Sequence, residues 1–113
     1  MVNRLAECDQ VFHALADPSR RSMVERLTQG AASVSELAHP LSMSLPAVVQ
    51  HLGVLQAAGI VDSEKVGRVR VCRLAPRGLQ PAEGWLAAQR TEWERRLDRL
   101  GDLLALPDDD RSL

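Results

Sequence analysis

The chain has 113 residues, of which 45% are hydrophobic and 26% are charged, so it has room for a single domain with one modest core. No apolar run approaches the roughly 18 residues of a membrane-spanning helix. The first residues lead into a charged segment without the features of a secretory signal. We therefore expect a cytoplasmic protein with no membrane partner.

Charge is distributed unevenly along the chain, although its net value is only −1. Residues 33–78 carry five basic and three acidic side chains, a net charge of +2, whereas residues 79–113 carry five basic and eight acidic ones, a net charge of −3. Binding to DNA depends on positive charge that faces the phosphates locally. The acidic remainder therefore does not exclude a nucleic-acid partner for the middle segment.

Two helices are predicted in the first 30 residues. In residues 3–16, apolar residues recur at intervals of three and four and line one helix face: Leu5, Cys8, Phe12 and Leu15. Asp17 followed by Pro18 is typical of a helix start, since Asp caps free amides and proline suits the first turn. Gly30 is expected to end this second helix.

A helix-turn-helix is predicted next. Ser33 and Glu36 form a capping-box pattern that opens a short third helix, which Pro40 closes. Ser44 and Pro46 repeat the start signal for a fourth helix over about residues 44–58. Because only a turn separates the two helices, they are expected to pack as a helix-turn-helix.

A β-hairpin and a long helix complete the expected fold. Two segments rich in β-branched residues flank Gly67 and Arg68, which predicts a hairpin over about residues 60–74. A final helix is expected over about residues 79–106, followed by an acidic tail, residues 107–113, that we expect to be disordered. The predicted fold class is mainly α with a β-hairpin wing (α+β), a single winged helix-turn-helix domain over residues 1–106.

A winged helix suits double-stranded DNA. The second helix of the pair presents its N-terminal residues to base edges in the major groove, and the hairpin places cations along the backbone. Gln50 can pair with adenine, Leu45 and Val49 can contact thymine methyl groups, and the helix start can bind phosphate. The expected DNA-binding residues are Ser44, Leu45, Pro46, Ala47, Val49, Gln50, His51, Lys65, Arg68 and Arg70.

Several of these residues also fit plainer roles. Gln50 alone would be an ordinary exposed helix residue, and a basic hairpin tip in isolation is more often a solvated turn. His51 fits a base contact and a hydrogen-bonded packing role equally well. Arg20 and Arg21 at the start of the second helix could touch phosphate, but a structural role is favoured for both.

Four motifs resemble the ArsR/SmtB family of winged-helix transcriptional repressors. They are FHALADPSRR at residues 12–21, VSELA at 34–38, SLPAVVQHL at 44–52 and LQAAGIV at 55–61. The resemblance spans nearly the whole chain in order. The C-terminal pattern of Trp85-Leu86 followed by WERRLDRL at 93–100 is similar to a branch of small autorepressors that do not sense metals.

The resemblance implies a homodimer in which the first and last helices pair across a two-fold axis. A final helix of about 25 residues would be roughly 38 Å long, longer than a compact domain of this size easily covers. The alternative is that its apolar stripe completes the core of the single chain. The expected interface residues are Leu5, Cys8, Phe12, Trp85, Trp93, Leu97, Leu100 and Leu104.

Sensor chemistry departs from that of the metal-sensing relatives. The third-helix segment has no cysteine and the last helix has no histidine, so we expect no metal site and no cofactor. Cys8 and Cys72 form no close-spaced motif and are expected to be reduced thiols. A dithiol switch would require them to meet in the fold, and the arginines near Cys72 could lower its pKa.

Competing functions are an enzyme, a protein-interaction module and a thiol-based redox repressor. No nucleophile elbow, phosphate-binding glycine loop or metal-ligand motif favours an enzyme. A winged helix that has lost DNA binding could pair with another regulator. The basic hairpin argues against that reading, and we expect a homodimeric repressor at a near-palindromic operator, with any small-molecule effector unidentified.

Overall fold

A computed structural model describes residues 4–105. Its helices are α1 (Arg4–Leu15), α2 (Pro18–Leu27), α3 (Val34–Ala38), α4 (Leu45–Ala57) and α5 (Gln80–Leu104). Its strands are β1 (Ala32–Ser33), β2 (Val61–Val66) and β3 (Val69–Leu74). The predicted fold class, a mainly helical chain with a β-hairpin wing, is confirmed. The predicted tail at residues 107–113 lies outside the described residues.

The chain divides into two compact units, Met1–Ala82 and Glu83–Leu113. The first contains α1 to α4 and the sheet, and the second contains most of α5. Within residues 4–105, no helix combines the length and the apolar character needed to cross a bilayer.

Capping residues set the starts of α2, α3 and α4 where the sequence predicts them. The Asp17 side chain accepts from the backbone N–H of Arg20, and the Ser44 side chain accepts from that of Ala47. Ser33 and Glu36 form the predicted reciprocal capping box. These bonds satisfy amides that the helix itself leaves without partners.

Pro40 follows the end of α3 at Ala38, in agreement with the prediction that it closes this helix. It lies inside a short 3₁₀ helix, His39–Leu41, that directly follows α3. Proline is tolerated there because its missing N–H falls in the first turn of the new helix. Ser42 then adopts a left-handed conformation with φ of 53° and turns the chain toward α4.

The sheet has three antiparallel strands in the order β1-β3-β2. β2 and β3 form the predicted hairpin, closed at Gly67 with φ of 62°. The third strand, β1, is not predicted from the sequence; its residues Ala32 and Ser33 pair with Cys72 and Val71. Two residues are too few to show the alternation that marks a strand.

The core lies between α1 to α4 and the hairpin base. Its largest fully buried residues include Met23, Leu37, Leu55, Ile60, Val11 and Val48. In α1 the buried face is Cys8, Val11 and Ala14, whereas Leu5 and Phe12 are exposed. Leu5, Cys8, Phe12 and Leu15 share one side of α1, as their spacing predicts, but of these four only Cys8 is buried.

Candidate nucleic-acid interface

Helix α4 has one buried face and one exposed face. Val48, Leu52 and Leu55 are buried in the core. The remaining positions of the first two turns are exposed, apart from half-buried Ala47, and comprise Leu45, Pro46, Val49 and Gln50, with Ser44 exposed at the cap. The expected base-contacting residues thus lie together on the solvent side of one capped helix, which is the geometry that a major groove accepts.

His51 differs from its exposed neighbours on α4. Its Nδ1 lies 3.1 Å from Nη1 of Arg20 and 4.0 Å from a carboxylate oxygen of Asp17. The side chain is only 21% exposed. The packing role that the sequence left open is therefore the one that this geometry supports, and little of His51 is available to a base.

Arg20 and Arg21 both bind the C-terminal end of α1. Nε of Arg20 donates to the carbonyl oxygen of Ala14 at 2.6 Å, and its Nη2 donates to that of His13 at 3.2 Å. Nη1 of Arg21 donates to the carbonyl oxygen of Leu15 at 2.8 Å. The carbonyl of His13 also accepts from the backbone N–H of Ala16 at 3.2 Å, whereas those of Ala14 and Leu15 lie at the helix end, where partners within the helix run out. The two cations also interact favourably with the helix dipole. The favoured structural role of both arginines agrees with these contacts.

The hairpin separates its charges onto two faces. Lys65 pairs directly with Arg70 across the strands, and Asp62 pairs with Arg73. Because opposed residues share a face and successive residues alternate, Lys65 and Arg70 lie on the same face as Ser63. Asp62, Glu64 and Arg73 lie on the other face, where Arg73 forms an ion pair with Glu64.

The cations at the hairpin tip remain available for anions. Lys65, Arg68 and Arg70 are all exposed. Within residues 4–105, Lys65 and Arg68 form no ion pair, and Arg70 donates from Nη1 to the Ser63 hydroxyl at 2.8 Å. Three cations without a carboxylate partner form a surface that suits a phosphate backbone.

A contact between α4 and the hairpin was not predicted from the sequence. Nε2 of Gln56 donates to Oγ of Ser63 at 2.6 Å, so the same hydroxyl binds Gln56 from α4 and Arg70 from β3. No sequence pattern marks this contact, because it depends on how α4 packs against β2.

Both cysteines are free and buried. Burial raises the pKa of the Cys72 thiol above its ordinary value, and the nearby charge of Arg70 opposes this shift only in part. The expectation that arginines lower the pKa of Cys72 is therefore wrong, because strand β3 turns this thiol into the core, where only 1% of it is exposed. A thiol in that state is a poor nucleophile.

Most of the expected interface residues are exposed in the single chain: Leu5, Phe12, Trp85, Trp93, Leu97, Leu100 and Leu104. Cys8 is the exception. It is 5% exposed, so it has little surface left to offer a partner.

Within residues 4–105, no three His, Cys, Asp or Glu side chains lie close enough together to hold a metal ion.

Several known proteins are similar to this chain in sequence and fold. Residues 15–64 match a family described as a helix-turn-helix domain. The chain is 42% identical over 106 residues to the HTH-type transcriptional regulator Rv2034 of Mycobacterium tuberculosis, a match that covers 90% of this chain and 92% of that protein.

Two solved structures extend the comparison. An ArsR-like transcriptional regulator from Rhodococcus sp. RHA1 is 36% identical, with a TM-score of 0.76 over 90% of this chain and 96% of that one. A homodimeric winged helix-turn-helix DNA-binding domain from Mycobacterium bovis, a possible ArsR-family regulator, is 23% identical, with a TM-score of 0.62 over 84% of this chain and 85% of that one. This last likeness concerns the fold alone.

Proposed function

This chain belongs to the ArsR/SmtB family of winged-helix transcriptional regulators, and from that premise we propose that it represses transcription as a homodimer at a near-palindromic operator. The observation that carries the proposal is the exposed face of α4 beside a hairpin that carries Lys65 and Arg70 together on one face. Phosphate contacts from the hairpin fix the register of α4, and side chains of α4 read bases.

Each exposed residue of α4 has a chemical role in this proposal. The carboxamide of Gln50 makes a paired hydrogen bond to adenine, and Leu45 and Val49 pack against thymine methyl groups. Ser44 lies at the helix start, where free amides and the helix dipole favour a phosphate. Lys65, Arg68 and Arg70 bind the backbone beside the groove.

The dimer is proposed from the exposed apolar stripe of α5. This helix has 25 residues, and Trp93, Leu97 and Leu100 on one side of it are 63%, 46% and 51% exposed. In the proposed dimer, a second copy of the chain covers these apolar side chains. A two-fold dimer would place its two reading helices about 34 Å apart, one turn of DNA, and this spacing predicts a near-palindromic operator.

Repression follows from competition with polymerase at an overlapping promoter. The proposal includes no catalytic step, no cofactor and no metal ion. A protein that acts on promoters works where the chromosome is, so we place it in the cytoplasm.

The experiment is a selection of genomic fragments from the source organism on the purified protein. The best fragment is then titrated with salt using the wild type and Gln50→Ala. We expect one enriched near-palindromic site, binding that weakens steeply with salt, and a Gln50→Ala variant with relaxed sequence preference. Failure to enrich any fragment at moderate salt would refute DNA binding by the free protein and leave a protein-interaction module.

A further inference from the structure

The hydroxyl of Ser63 joins the reading helix to the hairpin. It lies 2.6 Å from Nε2 of Gln56 on α4 and 2.8 Å from Nη1 of Arg70 on β3. Gln56 and Arg70 are exposed, and Ser63 is half-buried between them. The three polar groups therefore meet at the surface where α4 and the hairpin adjoin.

Each of the three side chains in this cluster keeps a hydrogen-bond donor that the cluster itself does not use. A serine oxygen has two lone pairs and one proton, and the N–H groups of Gln56 and Arg70 use both lone pairs. The proton of Ser63 finds no acceptor within residues 4–105. Gln56 keeps a second amide proton, and the guanidinium of Arg70 keeps further N–H groups. The cluster thus offers several donors and one positive charge.

The surroundings favour an anion. Lys65 lies directly across from Arg70 on the same hairpin face and adds a second positive charge. The acidic residues of the hairpin, Asp62 and Glu64, lie on the opposite face, where Arg73 pairs with Glu64. No carboxylate of the hairpin therefore competes for the donors of the cluster.

We propose that Gln56, Ser63 and Arg70 form a binding site for one phosphate of the DNA backbone, placed between the phosphates bound by the hairpin tip and the groove read by α4. A phosphate oxygen accepts from the Ser63 hydroxyl, from Arg70 and from the free amide proton of Gln56. The inference rests on the proposed function, because it assigns a further contact of the same interface. It adds two residues, Gln56 and Ser63, that carry no sequence signal for DNA binding.

The test uses operator duplexes, each carrying one neutral methylphosphonate linkage at a different position. Wild type, Ser63→Ala and Ser63→Thr are titrated against every duplex. At one linkage position per half-site, the neutral replacement should lower wild-type affinity roughly tenfold, and Ser63→Ala should also lower affinity for the unmodified operator. Because Ser63→Ala already lacks one of the three contacts to that phosphate, the neutral replacement at this linkage should cost the variant less affinity than it costs the wild type, whereas at every other linkage the two proteins should lose equal affinity.

Conservative and matched variants separate this role from a structural one. Ser63→Thr keeps the hydroxyl and should retain the wild-type pattern. Arg70→Ala should lower the slope of log affinity against log salt by about one per protomer. Arg73→Ala makes the same chemical change in the same strand but on the opposite face, and it should leave the response to every methylphosphonate unchanged.

Two results would overturn the site in different ways. Suppose that the wild type binds its operator, and that Ser63→Ala loses as much additional affinity as the wild type does at every neutral linkage. Ser63 then contacts no phosphate, and only the site is wrong. If the wild type selects no operator, the proposed function fails and the site fails with it.

Discussion

Arg20 and His51 join the start of α2 to the reading helix: Nη1 of Arg20 lies 3.1 Å from Nδ1 of His51. The same guanidinium also donates to the carbonyl oxygens of His13 and Ala14 at the end of α1. One side chain thus ties three helices together at the base of the proposed interface.

Replacement of Arg20 by alanine should destabilise the fold. The variant removes the bonds of Arg20 to the carbonyl oxygen of Ala14 and to the His51 ring, while the carbonyl of His13 keeps the backbone N–H of Ala16. We therefore expect a loss of about 1–3 kcal/mol in the free energy of unfolding. Urea denaturation followed by circular dichroism measures it. Arg26→Ala is the matched control, since Nη2 of Arg26 lies 3.7 Å from a carboxylate oxygen of Glu36 on the surface. This variant should lose less than about 1 kcal/mol in the free energy of unfolding. Equal losses for the two variants would refute this role for Arg20.

Stability should fall in acid partly through Asp17. The backbone N–H of Arg20 donates to this carboxylate and lowers its pKa below the ordinary value of 3.8; the charges of His51 and Arg20 act in the same direction, and partial burial opposes them. Because the folded pKa is the lower one, ionised Asp17 stabilises the fold above about pH 4. This contribution is lost as the pH falls through the folded pKa.

The check is the urea midpoint of wild type and Asp17→Asn between pH 7 and pH 3. Asparagine also caps helices but does not titrate in this range. The wild type should lose more stability on acidification than Asp17→Asn. Parallel curves would show that Asp17 makes no such contribution.

A charge placed in the apolar stripe of α5 should break the proposed dimer. Leu97→Glu puts a carboxylate among Trp93 and Leu100, and burying it in an interface without a partner is costly. Sedimentation equilibrium should report a monomer. Its binding to the operator should also be weaker. Thr91→Glu introduces the same charge on the opposite side of the helix and should leave a dimer. A dimer that survives Leu97→Glu would place the interface elsewhere.

The thiols should react slowly in the native protein. Cys8 and Cys72 are 5% and 1% exposed, and burial raises the pKa of the Cys72 thiol. We expect iodoacetamide to label both cysteines in urea and neither within minutes in buffer, since the thiolate is the reactive form. Cys72→Ala identifies which thiol any fast label reaches. If iodoacetamide labelled the native protein rapidly and released it from DNA, the result would favour the redox-sensing repressor.

The sequence alone determined the features that arise within a few residues. The starts at Asp17, Ser33 and Ser44 are predictable because a cap bonds an amide three residues away. The hairpin turn at Gly67 is predictable because glycine accepts a positive φ without strain. The exposed face of α4 follows from the spacing of Val48, Leu52 and Leu55.

The tertiary structure alone decided which partners distant residues meet. Periodicity groups Leu5, Cys8 and Phe12, but only the packing of α1 shows that Cys8 is buried while the other two are exposed. His51 meets Arg20 from 31 positions away. Ser63 meets Gln56 and Arg70 through strand register and helix packing. Local hydrogen bonds are encoded by neighbours in the chain, whereas these contacts depend on how whole elements pack, which no short pattern specifies.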